Sequence, residues 1–197
     1  MCIRDSSLVC GRYSLDLPSS KTSFKKETIE KYPKVFDYVN VDIAPSTFNP
    51  IIFKRQDQYI FEFAKWGFEY DWLPKGKLLF NVRSETVFEK SFSNNLIKTS
   101  RCLIPFNSYF EWKSTDSNKE KYKVYSNQKL CFFAGIYSIF NEKLSFSILT
   151  KKSATHIEHI HHRNPIILTL QDVKRWFSSE FDNLFGGSDN ELIADIV

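Results

Sequence analysis

The sequence predicts a single α+β domain built on a strongly curved antiparallel or mixed sheet, or a barrel-like core, flanked by short helices. Strand-like runs outnumber helical ones and do not alternate with them regularly, which favours this class over a doubly wound sheet. Aromatic residues make up 16% of the 197 residues, an excess typical of packed strands. The sequence contains no internal repeat, low-complexity tract or linker. We therefore assign residues 10–197 to one domain.

Alternating and apolar runs place the strands. Residues 58–65 alternate aromatic and other side chains with a period of two, as a half-buried strand does. The other predicted strands are rich in β-branched and aromatic residues: 51–55, 102–105, 108–113, 121–125, 130–137, 144–150 and 165–169. Polar, turn-forming residues at 114–120 predict the tip of a hairpin that joins two of these strands.

The predicted helices are all short. Apolar residues are spaced for one helical face over 22–32, and Pro33 is expected to end that helix. Ser188 and Glu191 form a capping box, which predicts a last short helix after it. The remaining predicted helices cover 84–92, 94–99, 153–159 and 170–179.

Composition excludes several classes of protein. With 42% hydrophobic and 25% charged residues the chain is globular and not disordered. Four cysteines without a CxxC pair indicate neither a disulfide framework nor a zinc ribbon: Cys2, Cys10, Cys102 and Cys131. The sequence shows no signal-peptide pattern and no run of transmembrane length, so we expect a reducing, cytosolic setting. A net charge of +4 permits a polyanionic partner without requiring one.

The functional interpretation is organised around Cys10-Gly11-Arg12-Tyr13. Cysteine combines a nucleophile with a small body, and the glycine lets the backbone turn tightly or approach a ligand. Arg12 offers a planar, always charged donor fork suited to a phosphate. Alone the tetrapeptide indicates little, because most cysteines in globular proteins are small buried hydrophobes.

A second candidate stretch is Asn81-Val-Arg83-Ser-Glu85-Thr86. Asn81 carries an amide donor and acceptor, and Arg83 a bidentate donor for phosphate. The alternative is the capped start of a helix, with Arg83 and Glu85 on a solvated face. The segment by itself favours that alternative.

A third stretch, residues 109–112, places a carboxylate among aromatic side chains. Strand periodicity puts Glu111 on the face of Tyr109, opposite Phe110 and Trp112. An apolar setting disfavours the ionised carboxylate, which is the environment of a general acid or proton shuttle. An exposed strand carboxylate is the open alternative.

All four histidines lie within seven residues, from His156 to His162. Imidazoles bind zinc, nickel and copper, so a metal site is one interpretation. The HExxH order is absent, however, and no carboxylate or cysteine is spaced to complete a site. We therefore favour a catalytic imidazole and expect neither a metal nor another cofactor.

Eight motifs in one order resemble a known family. They are Cys10-Gly-Arg-Tyr13, Ala44-Pro45, Trp66-Gly67, Asn81-x-Arg83-x-Glu85-Thr86, Arg101-Cys102-x-x-Pro105, Tyr109-Phe-Glu-Trp112, Phe133-Ala-Gly135 and Ile160-His161-x-Arg163-x-Pro165. The series is similar to the SRAP family, the SOS response-associated peptidases, also called abasic-site processing proteins. The likeness spans residues 10 to about 177.

The resemblance implies a DNA-damage response protein that binds single-stranded DNA at an abasic site and joins it covalently. In the family, a cysteine exposed as the N-terminus condenses with the sugar aldehyde to a thiazolidine. The resemblance also allows lyase-like strand scission and proteolytic removal of the protein's own leader. A cytoplasmic, nucleoid-associated monomer without a membrane partner is expected.

Site residues follow from the resemblance position by position. It implies that Cys10 is the nucleophile, that Asn81 holds the amine or sugar, that Glu111 shuttles protons and that His161 acts on the sugar hydroxyl. Phosphates and bases flanking the lesion would be bound by a further set of side chains: Arg12, Arg83 and Arg163 on phosphates, and Pro45 and Trp72 against bases.

The sequence departs from the family pattern at several positions. Eight residues separate Cys10 from Met1, so we expect residues 1–9 to be a leader that is cleaved or a mis-called start. Asp42 stands for a usual asparagine, Ser108 for a glycine, and Asn164 for a methionine or arginine. Three other functions remain open: a cysteine peptidase using Cys10, His161 and Glu111; a non-covalent single-strand binder; and a structural domain.

Overall fold

The computed structural model describes residues 11–115, 118–187 and 192–197, and within these ranges two sheets dominate the fold. The strands are β1 (Arg12–Asp16), β2 (Val39–Ile43), β3 (Phe48–Arg55), β4 (Gln58–Trp66), β5 (Asn81–Arg83), β6 (Arg101–Phe106), β7 (Ser108–Ser114), β8 (Lys119–Ser126), β9 (Cys131–Phe140), β10 (Lys143–Lys152), β11 (Arg163–Pro165), β12 (Ile167–Leu168) and β13 (Leu192–Ile196). The α-helices are α1 (Lys26–Lys31), α2 (Pro33–Phe36), α3 (Ser91–Thr99) and α4 (Val173–Trp176). Three 3₁₀ turns cover Pro18–Ser23, Ser84–Thr86 and Phe181–Leu184.

The larger sheet curls until it closes on itself. Its strand order is β11–β10–β4–β3–β6–β9–β12, and β10 also pairs with β9. Strands β10, β4, β3, β6 and β9 therefore form a closed ring of neighbours. Strand β10 runs parallel to β4 and β5, whereas the other pairings of this sheet are antiparallel. The mixed, barrel-like core predicted from the sequence is confirmed.

The smaller sheet is antiparallel, in the order β13–β8–β7–β1–β2. It packs on the barrel through Tyr13 of β1, whose ring meets Trp66 at 5.2 Å and Phe133 at 5.5 Å, both edge to face. Phe133 in turn stacks on Phe106 at 3.8 Å. All four side chains are fully buried, so one continuous aromatic core joins the two sheets.

Glycine is required where β9 crosses the barrel. A Cβ on Gly135 would lie 2.3 Å from Ile104 Cδ1 and 2.9 Å from the Ser147 carbonyl oxygen. Both neighbours are fully buried, so neither has space into which to move. The missing side chain is what lets β6, β9 and β10 pack this closely.

Arg101 fastens the two helices that flank the barrel. Its Nη1 donates to the Ile97 carbonyl at 2.7 Å, near the end of α3, and its Nε donates to the Trp176 carbonyl at 2.8 Å, at the end of α4. The guanidinium also lies 4.0 Å from the centre of the Phe181 ring. These bonds satisfy carbonyl groups that the helix ends leave without intrahelical partners.

Most predicted strands are confirmed, with ends shifted by a few residues, while the helices differ more. Within residues 22–32, only α1 is α-helical, and residues 22 and 23 end a 3₁₀ turn; Pro33, expected to end a helix, begins α2, because the fixed φ of proline suits a first helical turn. The helix predicted at 153–159 is a series of turns, and that at 170–179 shrinks to α4. The capping box at 188–191 lies outside the described residues, and after it the chain forms β13, paired with β8, where a helix was predicted.

The described part of the chain contains no helix with the length and apolar character needed to cross a membrane.

Candidate functional site

Glu111 is held inside the smaller sheet, facing the core. It is 3% exposed, and β7 alternates as predicted, with Tyr109 and Glu111 buried while Phe110 and Trp112 are half-buried. The observed burial removes the alternative of an exposed strand carboxylate. Its partner across the strand pair is Tyr122 of β8. Residues directly opposite in an antiparallel pair share a face, so Tyr122 lies beside the carboxylate.

Tyr122 also connects Glu111 to the histidine segment. Its ring meets the ring of His159 edge-on at 6.4 Å. His159 belongs to the turns between β10 and β11, which also carry His161. The predicted carboxylate and the predicted imidazole segment, 50 residues apart in sequence, are therefore neighbours around one tyrosine.

His161 is half-buried, and its ring contacts the backbone of Arg163, two residues further along the chain. Its Nδ1 lies 2.9 Å from the carbonyl oxygen and 3.2 Å from the amide nitrogen of Arg163. The ring stacks on His162 at 4.5 Å. Burial lowers the pKa of His161, and the neighbouring His162 and Arg163 charges lower it further. The ring is therefore neutral near pH 7, as a general base must be.

Asn81 and Arg83 lie on the edge strand β5, which pairs with β10. Asn81 is opposite Ile148, and Arg83 is opposite Thr150. Asn81 is half-buried and Arg83 is exposed. The sequence left open a helix starting here; the structure has a strand followed by a single 3₁₀ turn. Thr150 also pairs with Pro165 of β11, so β10 holds Asn81 and the residues that follow the histidine segment on its two sides.

Arg163 lies inside the protein. It is 9% exposed; its Nη1 donates to Glu85 Oε1 at 3.1 Å and its Nη2 donates to Glu85 Oε2 at 2.9 Å. The same Nη2 also donates to the Thr150 carbonyl at 2.9 Å. Both terminal nitrogens are engaged internally, which favours a positioning role over the phosphate contact expected from the resemblance. Glu85, expected on a solvated face if a helix began here, is 47% exposed and also part of this network.

Arg12 remains at the surface but has an acidic neighbour. Its Nη1 lies 2.5 Å from Asp42 Oδ2 on the adjacent strand β2, and the two side chains are 43% and 60% exposed. The register of β1 against β7 pairs Arg12 with Phe110, over whose ring Lys121 Nζ lies 4.2 Å from the centre. Cations and aromatic rings therefore share one surface, a combination suited to single-stranded nucleic acid.

Trp72 stands out as an exposed aromatic ring. It is 59% exposed and stacks on Tyr70 at 5.5 Å with nearly parallel planes, and Phe92 supports it at 5.5 Å. Pro45 is half-buried at the turn between β2 and β3. The predicted contact of Pro45 and Trp72 with bases stays a prediction.

Cys10, the predicted nucleophile, lies outside the described residues. Gly11 is described, and the register of β1 continues toward Glu111: Tyr13 pairs with Tyr109 and Arg12 with Phe110, so the next pair would be Gly11 with Glu111. A Cβ placed on Gly11 would have no atom within 4 Å. Gly11 therefore comes level with the buried carboxylate, with open space beside its Cα.

Among the residues the structure describes, no three His, Cys, Asp or Glu side chains are arranged to hold a metal ion. Cys102 is fully buried, and burial raises the pKa of its thiol well above the ordinary value. Cys102 is thus a core residue whose thiol stays protonated.

Sequence reasoning did not single out Tyr122, and it named Glu85 and Asp42 without giving either a role in this region. Tyr122 becomes a neighbour only through the β7–β8 register, and Glu85 through a contact 78 residues away in sequence. The one available signal was Asp42, which departs from the residue that the resemblance implies at that position.

Comparison with known proteins identifies the family of the chain. The family model described as SOS response associated peptidase (SRAP) matches residues 9–185. The abasic site processing protein YoqW of Bacillus subtilis is 28% identical over 182 residues, which cover 86% of this chain and 80% of that protein. The abasic site processing protein YedK of Escherichia coli is 25% identical over 144 residues, covering 71% and 64% respectively.

Solved structures show the same fold. A crystal structure of a protein from Bacteroides thetaiotaomicron superposes with a TM-score of 0.78 at 24% identity, covering 95% of this chain and 92% of that one. A phage-related protein from Bordetella bronchiseptica gives 0.71 at 20% identity, covering 95% and 94%. The family match covers most of the sequence, and the chain belongs to the SRAP family of SOS response-associated peptidases.

Proposed function

We propose that this protein binds single-stranded DNA at an abasic site and forms a covalent thiazolidine with the sugar through Cys10 as the first residue. The observation that carries the proposal is the β1–β7 register, whose continuation pairs Gly11 with buried Glu111, beside the histidine segment. Several relatives are named abasic site processing proteins, which supports the same substrate.

The reaction requires a terminal cysteine. The α-amine adds to the open-chain sugar aldehyde and loses water to give an imine; the thiolate then adds to the imine carbon and the nitrogen regains a proton. An α-amine titrates near pH ~8 and a lysine near ~10.4, so at pH 7 the unprotonated fraction is a few hundred-fold larger at the terminus. An internal cysteine has no free amine and cannot close this ring.

The buried side chains divide the proton transfers. Glu111 is placed to carry protons during loss of water, because it faces the core beside the end of β1. His161 is neutral near pH 7 and acts as acid or base on the sugar hydroxyl while the ring opens. Asn81 offers an amide on the opposite side of β10 to hold the amine or the sugar.

The surface side chains bind the strand on either side of the lesion. Arg12 and Arg83 provide exposed guanidinium groups for phosphates. Trp72, backed by Tyr70, provides a flat exposed ring, and Pro45 an apolar surface for bases. Stacking of this kind does not depend on base identity, which suits a damaged strand that must be recognised in any sequence.

The experiment compares three preparations: protein beginning at Cys10, protein retaining residues 1–9, and protein beginning at residue 10 with Cys10→Ser. Each is incubated with a single-stranded oligonucleotide in which one uracil has been converted to an abasic site. The proposal expects a heat-stable, slower-migrating band from the first preparation, no band from the third, and a band from the second only in proportion to the protein whose residues 1–9 have been removed, as read from its intact mass. A cysteine peptidase would instead retain its activity with the extension attached, and a purely non-covalent binder would give no band from any preparation.

Leader removal is tested in the same material. We propose that residues 1–9 are removed by the protein's own site, as the peptidase description of the family suggests. Intact mass of full-length protein incubated alone should then show loss of residues 1–9, and Glu111→Gln should prevent it. Loss of the segment at an equal rate in the variant would assign the cleavage to another protease.

A further inference from the structure

We infer that Glu85 is a positioning residue for His161, holding the imidazole in one orientation and one tautomer through Arg163. The kinetic consequence of this inference rests on the proposed function. The structural consequence concerns the imidazole itself and is measurable without DNA.

The carboxylate of Glu85 ties together the two strands that flank the histidine segment. It accepts hydrogen bonds from both terminal nitrogens of Arg163, at the start of β11: Nη1 lies 3.1 Å from Oε1 and Nη2 lies 2.9 Å from Oε2. It also accepts the backbone amide of Lys152, at the end of β10, at 3.1 Å. The segment from 153 to 162 leaves and re-enters the sheet between these two residues, which are partners in the β10–β11 pair, so Glu85 adds side-chain hydrogen bonds to a junction that the backbone pairing also holds.

Arg163 connects Glu85 to His161, because its side chain bonds to Glu85 and its backbone contacts the His161 ring. Both hydrogen-bond contacts of His161 Nδ1 are to the backbone of Arg163, at 2.9 and 3.2 Å. The Arg163 side chain is anchored by Glu85 and by Thr150, whose Oγ1 accepts from Nη2 at 3.2 Å. With 9% exposure, the guanidinium has little water to replace a lost carboxylate. Displacement of its side chain therefore moves the backbone that contacts the imidazole.

The orientation matters for proton transfer. His161 Nδ1 lies within hydrogen-bonding distance of both the carbonyl oxygen and the amide N–H of Arg163; in the tautomer in which Nδ1–H donates to that carbonyl, the Nε2 lone pair is free to accept a proton from the sugar hydroxyl. Rotation of the ring or exchange of the tautomer removes that lone pair from the place where it is needed. Glu85 does not touch the imidazole. It can nevertheless change the rate by orienting the imidazole through Arg163, without contacting the substrate.

The alternative is that the Glu85–Arg163 pair stabilises the fold and has no bearing on His161. A double-mutant cycle separates the two, because a residue that acts through another loses its effect when that other is removed. The matched control is Glu89→Gln, which changes an exposed carboxylate four residues along the same segment.

The experiment measures cross-linking rates at saturating DNA for Glu85→Gln, His161→Ala and the double variant, all beginning at Cys10. Glu85→Gln should slow the reaction roughly tenfold, the lower end of the effect seen when a histidine loses its orienting partner. Its DNA dissociation constant should be unchanged, and Glu85→Asp should recover part of the rate. In the His161→Ala background, Glu85→Gln should have less than a twofold effect, and Glu89→Gln should have none in either background. An equal slowing in both backgrounds would overturn the inference.

A second readout needs no DNA. Nitrogen-15 NMR of the four imidazoles, with His161 assigned by its loss in His161→Ala, should show one neutral tautomer at pH 8, and Glu85→Gln should mix the two. An unchanged tautomer would also overturn the inference. If no preparation cross-links DNA but the tautomer shifts, the proposed function has failed and the positioning of His161 by Glu85 has not.

Discussion

Arg12 Nη1 lies 2.5 Å from Asp42 Oδ2, across the β1–β2 pair and two residues after the predicted nucleophile. A phosphate bound by Arg12 must compete with this carboxylate. The resemblance implies an asparagine at position 42, so the competition is a property of this sequence. We therefore expect Asp42 to weaken the binding of DNA at Arg12.

Asp42→Asn should tighten binding of a single-stranded oligonucleotide. It removes one competing negative charge and frees Arg12 for a phosphate, so the salt dependence of binding should steepen by about one ion, a slope change near 0.7 on a log–log plot for a single strand. Fluorescence anisotropy at several salt concentrations measures both effects. The control is Asp57→Asn, which breaks a similar exposed ion pair with Lys54 and should alter neither. Identical slopes for Asp42→Asn and the unmodified protein would show that Arg12 does not contact a phosphate.

Trp72→Ala should weaken binding of undamaged single-stranded DNA by about 1–3 kcal/mol, the range for one aromatic ring that stacks on a base. Phe88→Ala removes another exposed ring, which packs on Phe181 and Phe185, and should leave binding unchanged. Anisotropy titrations compare the two variants at fixed salt. An equal loss in both would mean that general destabilisation, and not stacking, explains the effect.

Gly135→Ala should destabilise the fold by about 1–3 kcal/mol, because the new methyl group overlaps Ile104 and the Ser147 carbonyl in a packed core. Gly186→Ala is the matched control: its Cβ would meet no atom within 4 Å, and the change should be neutral or slightly stabilising. Urea denaturation gives both free energies of unfolding. A neutral Gly135→Ala would contradict the close approach of β6, β9 and β10.

Stability should fall as the pH drops through the titration of His161. The folded-state pKa of this ring is lowered by burial below the ordinary value of 6.5, so the unfolded chain binds the proton more readily. The stability that the neutral His161 ring contributes is fully present above about pH 6.5, the ordinary histidine pKa. It is lost as the pH falls below that value toward the lower pKa of the folded state. The difference in free energy of unfolding between the unmodified protein and His161→Gln should therefore shrink between pH 7.5 and pH 5.5. A difference that does not change with pH would show that the ring is not desolvated.

Protonation of Glu85, which is bonded to Arg163, should lower the free energy of unfolding further at a lower pH. Burial tends to raise the pKa of Glu85, but the hydrogen bonds and charge of Arg163 outweigh it and the pKa is lowered. Glu85 therefore stabilises the fold above about pH 4.3, the ordinary glutamate value, and the contribution disappears as the pH falls further. Comparison of Glu85→Gln with Glu89→Gln by urea denaturation at pH 7 and pH 3.5 isolates it. Parallel pH dependences in the two variants would contradict the ion pair.

Local patterns were sufficient for much of the fold. The period-two alternation of β4 and β7 and the apolar runs of β9 and β10 identified strands, because side chains on a half-buried sheet must alternate. The helix predicted after the capping box failed because β13 gains its stability from pairing with β8, a tertiary interaction that no local pattern contains. The helix predicted at 153–159 failed for a related reason: the segment connects Lys152 and Arg163, whose β10–β11 pairing holds its ends together.

Some residues of the candidate site could likewise be predicted from local sequence patterns, and others could not. Glu111 was found because a carboxylate among aromatic residues is unusual, and its burial agrees with that reasoning. The interior position of Arg163 was not foreseeable, because a charged residue in a polar segment gives no sign that a carboxylate 78 residues earlier will bury it. Tyr122 escaped notice because only the strand register shows which residue faces Glu111.

The central claim concerns the bond formed at Cys10. Protein beginning at that residue is cross-linked to an abasic oligonucleotide, digested with nuclease and protease, and the modified peptide is sequenced by mass spectrometry. A thiazolidine predicts a sugar adduct on the peptide that starts Cys10-Gly11-Arg12, formed with loss of one water and stable without borohydride reduction. An adduct on a lysine, or one recovered only after reduction, would contradict the account.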